Sequence, residues 1–570
     1  DGDAIGGIVN IVSRTAFQRD GRAFKLRLGG VYSDLPKKWG HQASLQYSDI
    51  FSVGAGQKNL GISATLSSYR TNRYSINADI DWEHVDHTLY PQMGLNQYGD
   101  YPVWFLESSH FEYNNRVTDT HGISGSIDFK LDDHNSFYVR PVYSFYKRHG
   151  TSFETDQDID TRYQAEPGGR RTYAFLTIDS GGATPGANGS RGSRGWIGTD
   201  DVADNNLYSL NFGGRHEKPD SLLTYDFFYS YSKLRVTADN ELDLYMQPTN
   251  PYFLVNYKIH KIHKGDVEFI DTSGNDPTDL TKMTRANIIF DTSVKAEDIY
   301  SARLDWEKKF QRENGVFTFK TGAKYRRSEP KFDRERLRSL TGPGTVFDYS
   351  KVVERTNDWQ FLKPRYFDVY PNRIPALMAS NPGLFTKNEN LSIEGSNLSD
   401  YDASESTGAA YAMGTYRFGA HTIIAGLRFE DNEWKSQRVR VPYINGVATP
   451  TKQDLGNSYD FWLPGLHLRH ELRKNLIMRE SFSQSYAKPK LGELTLGRLV
   501  ATNGNITDGN PKLKPVTSDN MDWQIEYYTA NSGLYSVGVF YKKVKDFSFR
   551  QDSRFLVTDG QGEPIIIPGA

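Results

Sequence analysis

Apolar and polar positions alternate with a period of two through most of the chain. Leu60, Ile62, Ala64 and Leu66 alternate with Gly61, Ser63, Thr65 and Ser67, which predicts a strand with a different environment on each face. The pattern then doubles back on itself. Ile123, Ile127, Phe129 and Leu131 alternate with Ser124, Ser126, Asp128 and Lys130, the chain turns through Asp132 to Ser136, and Phe137, Val139, Tyr143 and Phe145 resume the apolar face. Tyr208, Leu210 and Phe212 pair in the same way with Leu223, Tyr225, Phe227, Tyr229 and Tyr231. Ala302, Leu304 and Trp306 pair with Phe317, Phe319 and Ala323. Ile423 to Phe429, Leu466 with Leu468, Ile525 with Tyr527 and Tyr535 to Val539 carry the pattern onward, giving about 15 up-and-down strands.

The connections fall into two classes. Short turns are expected at 132–136, 311–315, 419–421, 473–475 and 530–533, and long loops at about 84–116, 149–203, 238–296, 329–405 and 487–516. Loops of more than about 15 residues are uncommon in soluble domains. Short turns at one end and long loops at the other are the layout of an antiparallel transmembrane β-barrel. Lipid offers the backbone no hydrogen-bond partner, so strands that cross it must pair on both sides. The apolar positions then face lipid. Lys130, Asp305, Glu307, Lys320, Lys324, Arg326, Arg428 and Glu430 face a polar interior, where salt bridges are their expected role.

Composition permits this reading. In 570 residues hydrophobic types make up 37%, and no run approaches the ~18 apolar residues of a spanning helix. Barrel strands need only every second residue apolar. Tyr 35, Phe 32 and Trp 9, beside 50 Gly, suit aromatic girdles and tight turns. With 68 basic and 70 acidic residues there is no nucleic-acid footprint, and zero Cys excludes disulfides, thiolate metal sites and a cysteine nucleophile. The chain opens at Asp1-Gly2-Asp3 without Met or an apolar stretch, so the mature start is expected to be either processed or missing from this stretch.

Candidate chemistry is sparse. Asp156, Asp158 and Asp160 have calcium-like spacing, but Thr161 and Pro167 stand where an EF-type loop needs Gly and Glu. His260 and His263 have no second ligand pair, and the Gly-rich stretch 181–195 lacks phosphate-loop spacing. Neither a Gly-x-Ser-x-Gly elbow nor a His-Glu-x-x-His is present, so no catalytic residues, metal site or bound cofactor are expected. Tyr98, Tyr101, Trp104 and Phe105, with His110, Phe111 and Tyr113, crowd one expected loop. They either stack on a ligand or brace the loop against its neighbours.

The opening residues carry a resemblance. Asp1 to Arg14, with paired Gly6-Gly7 and Asn10 inside the apolar run Ile8 to Val12, resembles the last plug strand of TonB-dependent outer-membrane receptors. Gly426-Leu427-Arg428-Phe429-Glu430 is similar to that family's mid-barrel strand. Leu463 to Leu466, continued through Arg479 to Pro489, resembles the following hairpin. Gly509-Asn510-Pro511 through Pro515, continued to Tyr527, resembles a later loop and strand.

The resemblance implies two parts: residues 1–14 as the end of a plug domain, and 15–570 as an incomplete barrel holding about 15 of about 22 strands. Most of the plug, the TonB-contacting box and the strands beyond Phe547 would lie outside this stretch, which alone would neither close nor transport. It further implies a non-enzymatic receptor in the Gram-negative outer membrane, with the TonB complex, a small nutrient ligand and outer-membrane lipid as partners and no nucleic acid. Siderophore chelates, haem, cobalamin, nickel and oligosaccharides all suit the family. A passive porin-like channel would lack the plug-like stretch 1–14. A soluble glycan-binding sandwich would leave the asymmetry of the loops unexplained.

Overall fold

The computed structural model describes residues 15–18, 21–85, 103–160, 191–246, 253–261, 264–271, 285–341, 349–356, 366–496, 499–500, 506–507, 509–548, 556–557 and 564–565. Fifteen antiparallel strands follow one another through a single sheet, each paired with its neighbours in chain order. They are β1 (Ala23–Ser33), β2 (Lys38–Phe51), β3 (Leu60–Val85), β4 (Val103–Lys130), β5 (Asn135–Asp160), β6 (Arg191–Lys218), β7 (Ser221–Met246) and β8 (Arg285–Arg312). After these come β9 (Gly315–Thr341), β10 (Tyr401–Phe418), β11 (His421–Arg440), β12 (Thr451–Arg473), β13 (Leu476–Ala487), β14 (Val516–Tyr528) and β15 (Leu534–Lys545). Among the described residues β1 and β15 are the edges, each with one neighbour. Helix α1 (Ile374–Ser380) precedes a short strand, Phe385–Lys387, that adds to the outer end of β9, and helix α2 (Glu389–Asn397) follows it.

Register decides which residues share a face. Leu304 lies opposite Ala323, Trp306 opposite Thr321, and Ala302 opposite Tyr325, so the apolar positions of β8 and β9 coincide. Leu304 is 50% exposed and Tyr325 48%, although both lie mid-strand. The same face carries exposed Leu66, Ile127, Leu210, Phe227, Leu427, Trp462, Met521 and Val539. An apolar band this continuous is a surface made for lipid. Tyrosines rim it across several strands: Tyr143 lies against Tyr208 at 4.8 Å, and Tyr229 against Tyr300 at 5.2 Å.

No described helix is long and apolar enough to cross a membrane. The expected turns occur at the joins between β4 and β5, β8 and β9, β10 and β11, β12 and β13, and β14 and β15. The other ends differ from expectation. β4 and β8 each run 28 residues and β9 runs 27, against the ~9 to 11 needed to cross lipid. Positions 103–116, 149–160, 191–203, 238–246, 285–296 and 329–341, read as loop from the sequence, are therefore strand. Alternation of apolar with polar residues stops where lipid stops. Backbone pairing continues, because two polar faces pair as well as one. The Asp156 to Asp160 spacing falls on β5 and forms no calcium loop.

Leu304→Arg, on the apolar face, is expected to destabilise the folded protein in lipid vesicles by about 2–4 kcal/mol in a urea titration. Lys320→Gln, on the opposite face, is expected to change it by less than about 1 kcal/mol.

Candidate functional site

The second face of the sheet is polar, and several of its charges are matched along its middle. Ser126 donates to Asp128 at 2.5 Å, with Arg140 3.4 Å from the same carboxylate. Arg303 pairs with Asp305 at 2.5 Å, and the Tyr411 hydroxyl donates to that carboxylate at 2.5 Å. Arg428 pairs with the buried Glu430, to which Tyr486 also donates at 2.5 Å. Tyr486 in turn stacks on Phe461, centroids 4.1 Å apart. Lys488 donates to Thr407 and Thr407 to Asn432, at 2.9 and 2.8 Å. Buried charges need such partners, since an unpaired one costs several kcal/mol. Gly426 lets β10 and β11 approach here: a Cβ would stand 2.8 Å from that of Met413.

Further along β11, connecting segments fold onto this face. Helix α3 (Leu491–Thr495) lies against it, and Arg438 donates to the Leu496 carbonyl at 2.7 Å and to Gln453 at 3.0 Å. Asn510 takes its place here. Its amide donates to the Glu493 carbonyl at 2.9 Å and its side chain accepts from the Lys512 amide at 2.9 Å. Pro511 follows, and Pro515 is buried where the chain enters β14. The connection after β9 brings the Tyr370 ring 5.8 Å from that of Phe153 on β5, whose register places it on the face opposite the polar one.

The outer end of β9 is held in an unusual way. Its pairing with β10 ends at Phe332 opposite Tyr401, and helix α2 (Glu389–Asn397) takes over the exposed edge. The Arg334 amide donates to Asp400 at 2.9 Å, the Arg336 amide to the Ser396 hydroxyl at 2.8 Å, and the Arg338 amide to the Ser392 hydroxyl at 3.0 Å. Ser396 returns a bond to the Arg336 carbonyl at 3.1 Å, and the Asn388 amide donates to that of Arg338 at 2.8 Å. Alternate strand residues lie about 6.6–6.8 Å apart and helix residues four apart about 6 Å, so Ser392 and Ser396 fit the strand's repeat. Asn388 caps the helix, accepting from the Leu391 amide at 3.0 Å. Gly395 makes the approach possible: a Cβ there would stand 2.7 Å from the Arg336 stem.

This edge sends Arg334, Arg336 and Arg338 to the polar face, while Leu337 between them is 46% exposed on the other. Asp291, opposite Arg336 in the β8–β9 ladder, receives Arg334 Nε at 2.9 and 3.0 Å and lies 3.5 Å from Arg336 Nε.

The TonB dependent receptor-like, beta-barrel family model matches residues 146–561. The chain belongs to that family. Its apolar face is thus the lipid face of an antiparallel barrel and its polar face the lumen, and the family consists of transport receptors of the Gram-negative outer membrane. Among solved structures, the chain is similar to the ferric-catecholate import receptor Fiu of E. coli K12 in its closed form. Identity is 12% over 96% of this chain and 60% of that one, with a TM-score of 0.47. The siderophore receptor PiuA of Acinetobacter baumannii is 12% identical over 93% and 57%, with a TM-score of 0.42. The hemophore receptor HasR of Serratia marcescens, in complex with HasA and heme, is 11% identical over 92% and 55%, at 0.43. The chain thus spans about 60% or less of the length of these receptors. No curated protein matches it.

Within this barrel Gly426, Arg428, Glu430, Asn510, Pro511 and Pro515 all come to the lumenal side of β11 or the connection packed on it. Trp104 and Phe105 lie on β4, opposite His84 and Glu83, and so are strand residues where a loop was expected. Tyr98, Tyr101, Gly6, Gly7 and Asn10 lie outside the described residues. The arginine row and its helix were missed, although the sequence Arg334-Glu335-Arg336-Leu337-Arg338 carries the period-two signal. Among the described residues no group of three or more His, Asp or Glu could hold a metal.

Asp400 lies outside the lipid-facing band. Burial pushes its carboxyl up to about 6 from 3.8, and Asp333 and Glu335 add to the rise against the Arg334 amide. A raised carboxyl favours the protonated, folded edge, so its contribution is full below the unfolded value and lost as pH rises through the folded one. Hydrogen exchange at amides 334–338, corrected for intrinsic rates, is expected to be slowest below about pH 4 and to quicken through about pH 6. In Asp400→Asn that pH dependence should vanish, and its persistence would assign the effect to another group.

Proposed function

We propose that this chain is the greater part of the wall and vestibule of an outer-membrane receptor that imports a scarce nutrient with energy from TonB. Family membership carries the reading, and the matched charges of the lumen support it. Wall groups that are already paired, as Asp305 and Glu430 are, offer a solute little to bind, which favours capture by the outer segments. In this reading residues 1–14 end a plug and 15–570 belong to the barrel. Residues 16–18 are consistent with entry from the lumen: Ala16 is buried, and the Lys130 ammonium lies 4.3 Å from the Phe17 ring. The partners are the TonB complex, outer-membrane lipid and a small nutrient of the siderophore, haem, cobalamin or oligosaccharide kind. The aromatic residues Tyr98, Tyr101, Trp104 and Phe105 remain candidates for ligand contact.

Cells carrying the full-length receptor, with and without TonB, are to be compared for uptake of iron chelates, cobalamin and glycans. Saturable uptake of one compound that disappears without TonB is the expected result. Equal, non-saturable flux in both strains would replace the receptor with a passive channel.

A further inference from the structure

We infer that Arg336 and Arg338 form an anion-selecting wall in the vestibule, so that the imported nutrient presents negatively charged oxygens to this receptor. This rests on the import reading above and adds the class of substrate to it.

The first ground is charge. The outer end of β9 brings the side chains of Arg334, Arg336 and Arg338 to the lumenal face, and across the β8–β9 ladder they meet one carboxylate, Asp291. Asp333 and Glu335 alternate with them and so lie on the opposite face. Arg334 takes Asp291 through both carboxylate oxygens. Arg336 reaches the same group only at 3.5 Å, beyond a good hydrogen bond, and Arg338 has no carboxylate partner among the described residues. Deeper in the lumen Arg303 and Arg428 each lie beside their own acid, Asp305 and Glu430.

The second ground is desolvation. The Nε atoms of both Arg336 and Arg338 are buried with no hydrogen-bond acceptor, and the Arg336 side chain as a whole is 26% exposed. A buried donor left unmet is costly, and a partly dehydrated guanidinium gains correspondingly more from an arriving anion.

The third ground is rigidity. Ser392, Ser396 and Asp400 pin the backbone of all three arginines, and the Arg336 stem runs against Gly395. Two planar forks about 6.6–6.8 Å apart on a fixed edge can engage separate oxygens of one multidentate anion. Lysine would supply the charge without the fork.

The test uses the full-length receptor in outer-membrane vesicles. Anionic probes are ferric tris-catecholate, ferric citrate and haem, and neutral probes are a ferric tris-hydroxamate and cyanocobalamin. Arg336→Gln with Arg338→Gln is expected to weaken the best anionic probe by about 10- to 100-fold and to flatten its salt dependence. Arg336→Lys with Arg338→Lys should recover part of the loss, and Glu335→Gln, on the opposite face, should bind as the parent does. Unchanged heat-modifiable migration shows that each variant is folded. Binding of the anionic probe by the glutamine pair within twofold of the parent would overturn the inference. TonB-dependent uptake of a neutral probe in preference to every anionic one would overturn the inference alone and leave the import reading standing. TonB-independent flux of all the probes would overturn both.

Discussion

In a lipid slab a peptide group has no partner except another peptide group, and this governs the rest of the structure. Each interior strand must be bonded along both edges, which makes the sheet continuous from β1 to β15 in chain order. Once pairing is fixed, the pleat sends successive side chains to opposite faces, and composition is sorted by position. Leu304 and Trp306 go to lipid, and Arg303 and Asp305 between them go to the lumen. The charges of the lumen follow from the same constraint. They are cheap there only because register sets partners beside them, as it does for Tyr411 and Asp305.

The requirement that backbone groups be met does not end with the lipid, although its strictness does. Where β10 leaves β9 after Tyr401, water could satisfy the edge, yet α2 supplies two serine hydroxyls and Asp400 a carboxylate. The hairpin Tyr443–Ile444 with Val447–Ala448 is tied to the same helix. Asn390 donates to the Gly446 carbonyl at 2.9 Å and accepts from the Ala448 amide at 2.9 Å, and Tyr443 donates to Glu394. The mouth of the barrel above β9 to β11 is therefore a bonded assembly as well as a set of connections. A helix used as a strand's neighbour fixes backbone position without occupying the side-chain rows.

Much of this was legible in the residues, and the boundary of legibility is physical. Hairpins such as Ser301–Trp306 with Phe317–Ala323 show an apolar face against a polar one, which lipid enforces, so both strands and their turn are readable. Arg334 to Arg338 has a polar residue on either face apart from Leu337, so a search for apolar alternation reads it as loop. The spacing of its arginines was the signal that remained. The Ser392–Ser396 contact could not be read in advance, because serine four residues from serine has meaning only beside a strand of the right repeat. Gly426 to Glu430 was legible as a family strand, but the burial of Glu430 under Tyr486 depends on a residue 56 positions away.

The distribution of pairing across the lumen bears on where discrimination resides. A carboxylate already held by an arginine and a tyrosine, as Asp305 and Glu430 are, has spent its capacity to bind, and displacing its partners would cost as much as a new contact returns. Selectivity therefore belongs where satisfaction is incomplete and position is nonetheless fixed. Among the described residues the outer end of β9 meets both conditions: Arg336 and Arg338 retain buried, unmet Nε donors on a backbone locked by α2. A flexible loop carrying the same arginines would lose much of the gain to ordering. Presenting them from a strand, with a helix closing its edge, puts the ordering cost into folding and leaves the charge for the ligand.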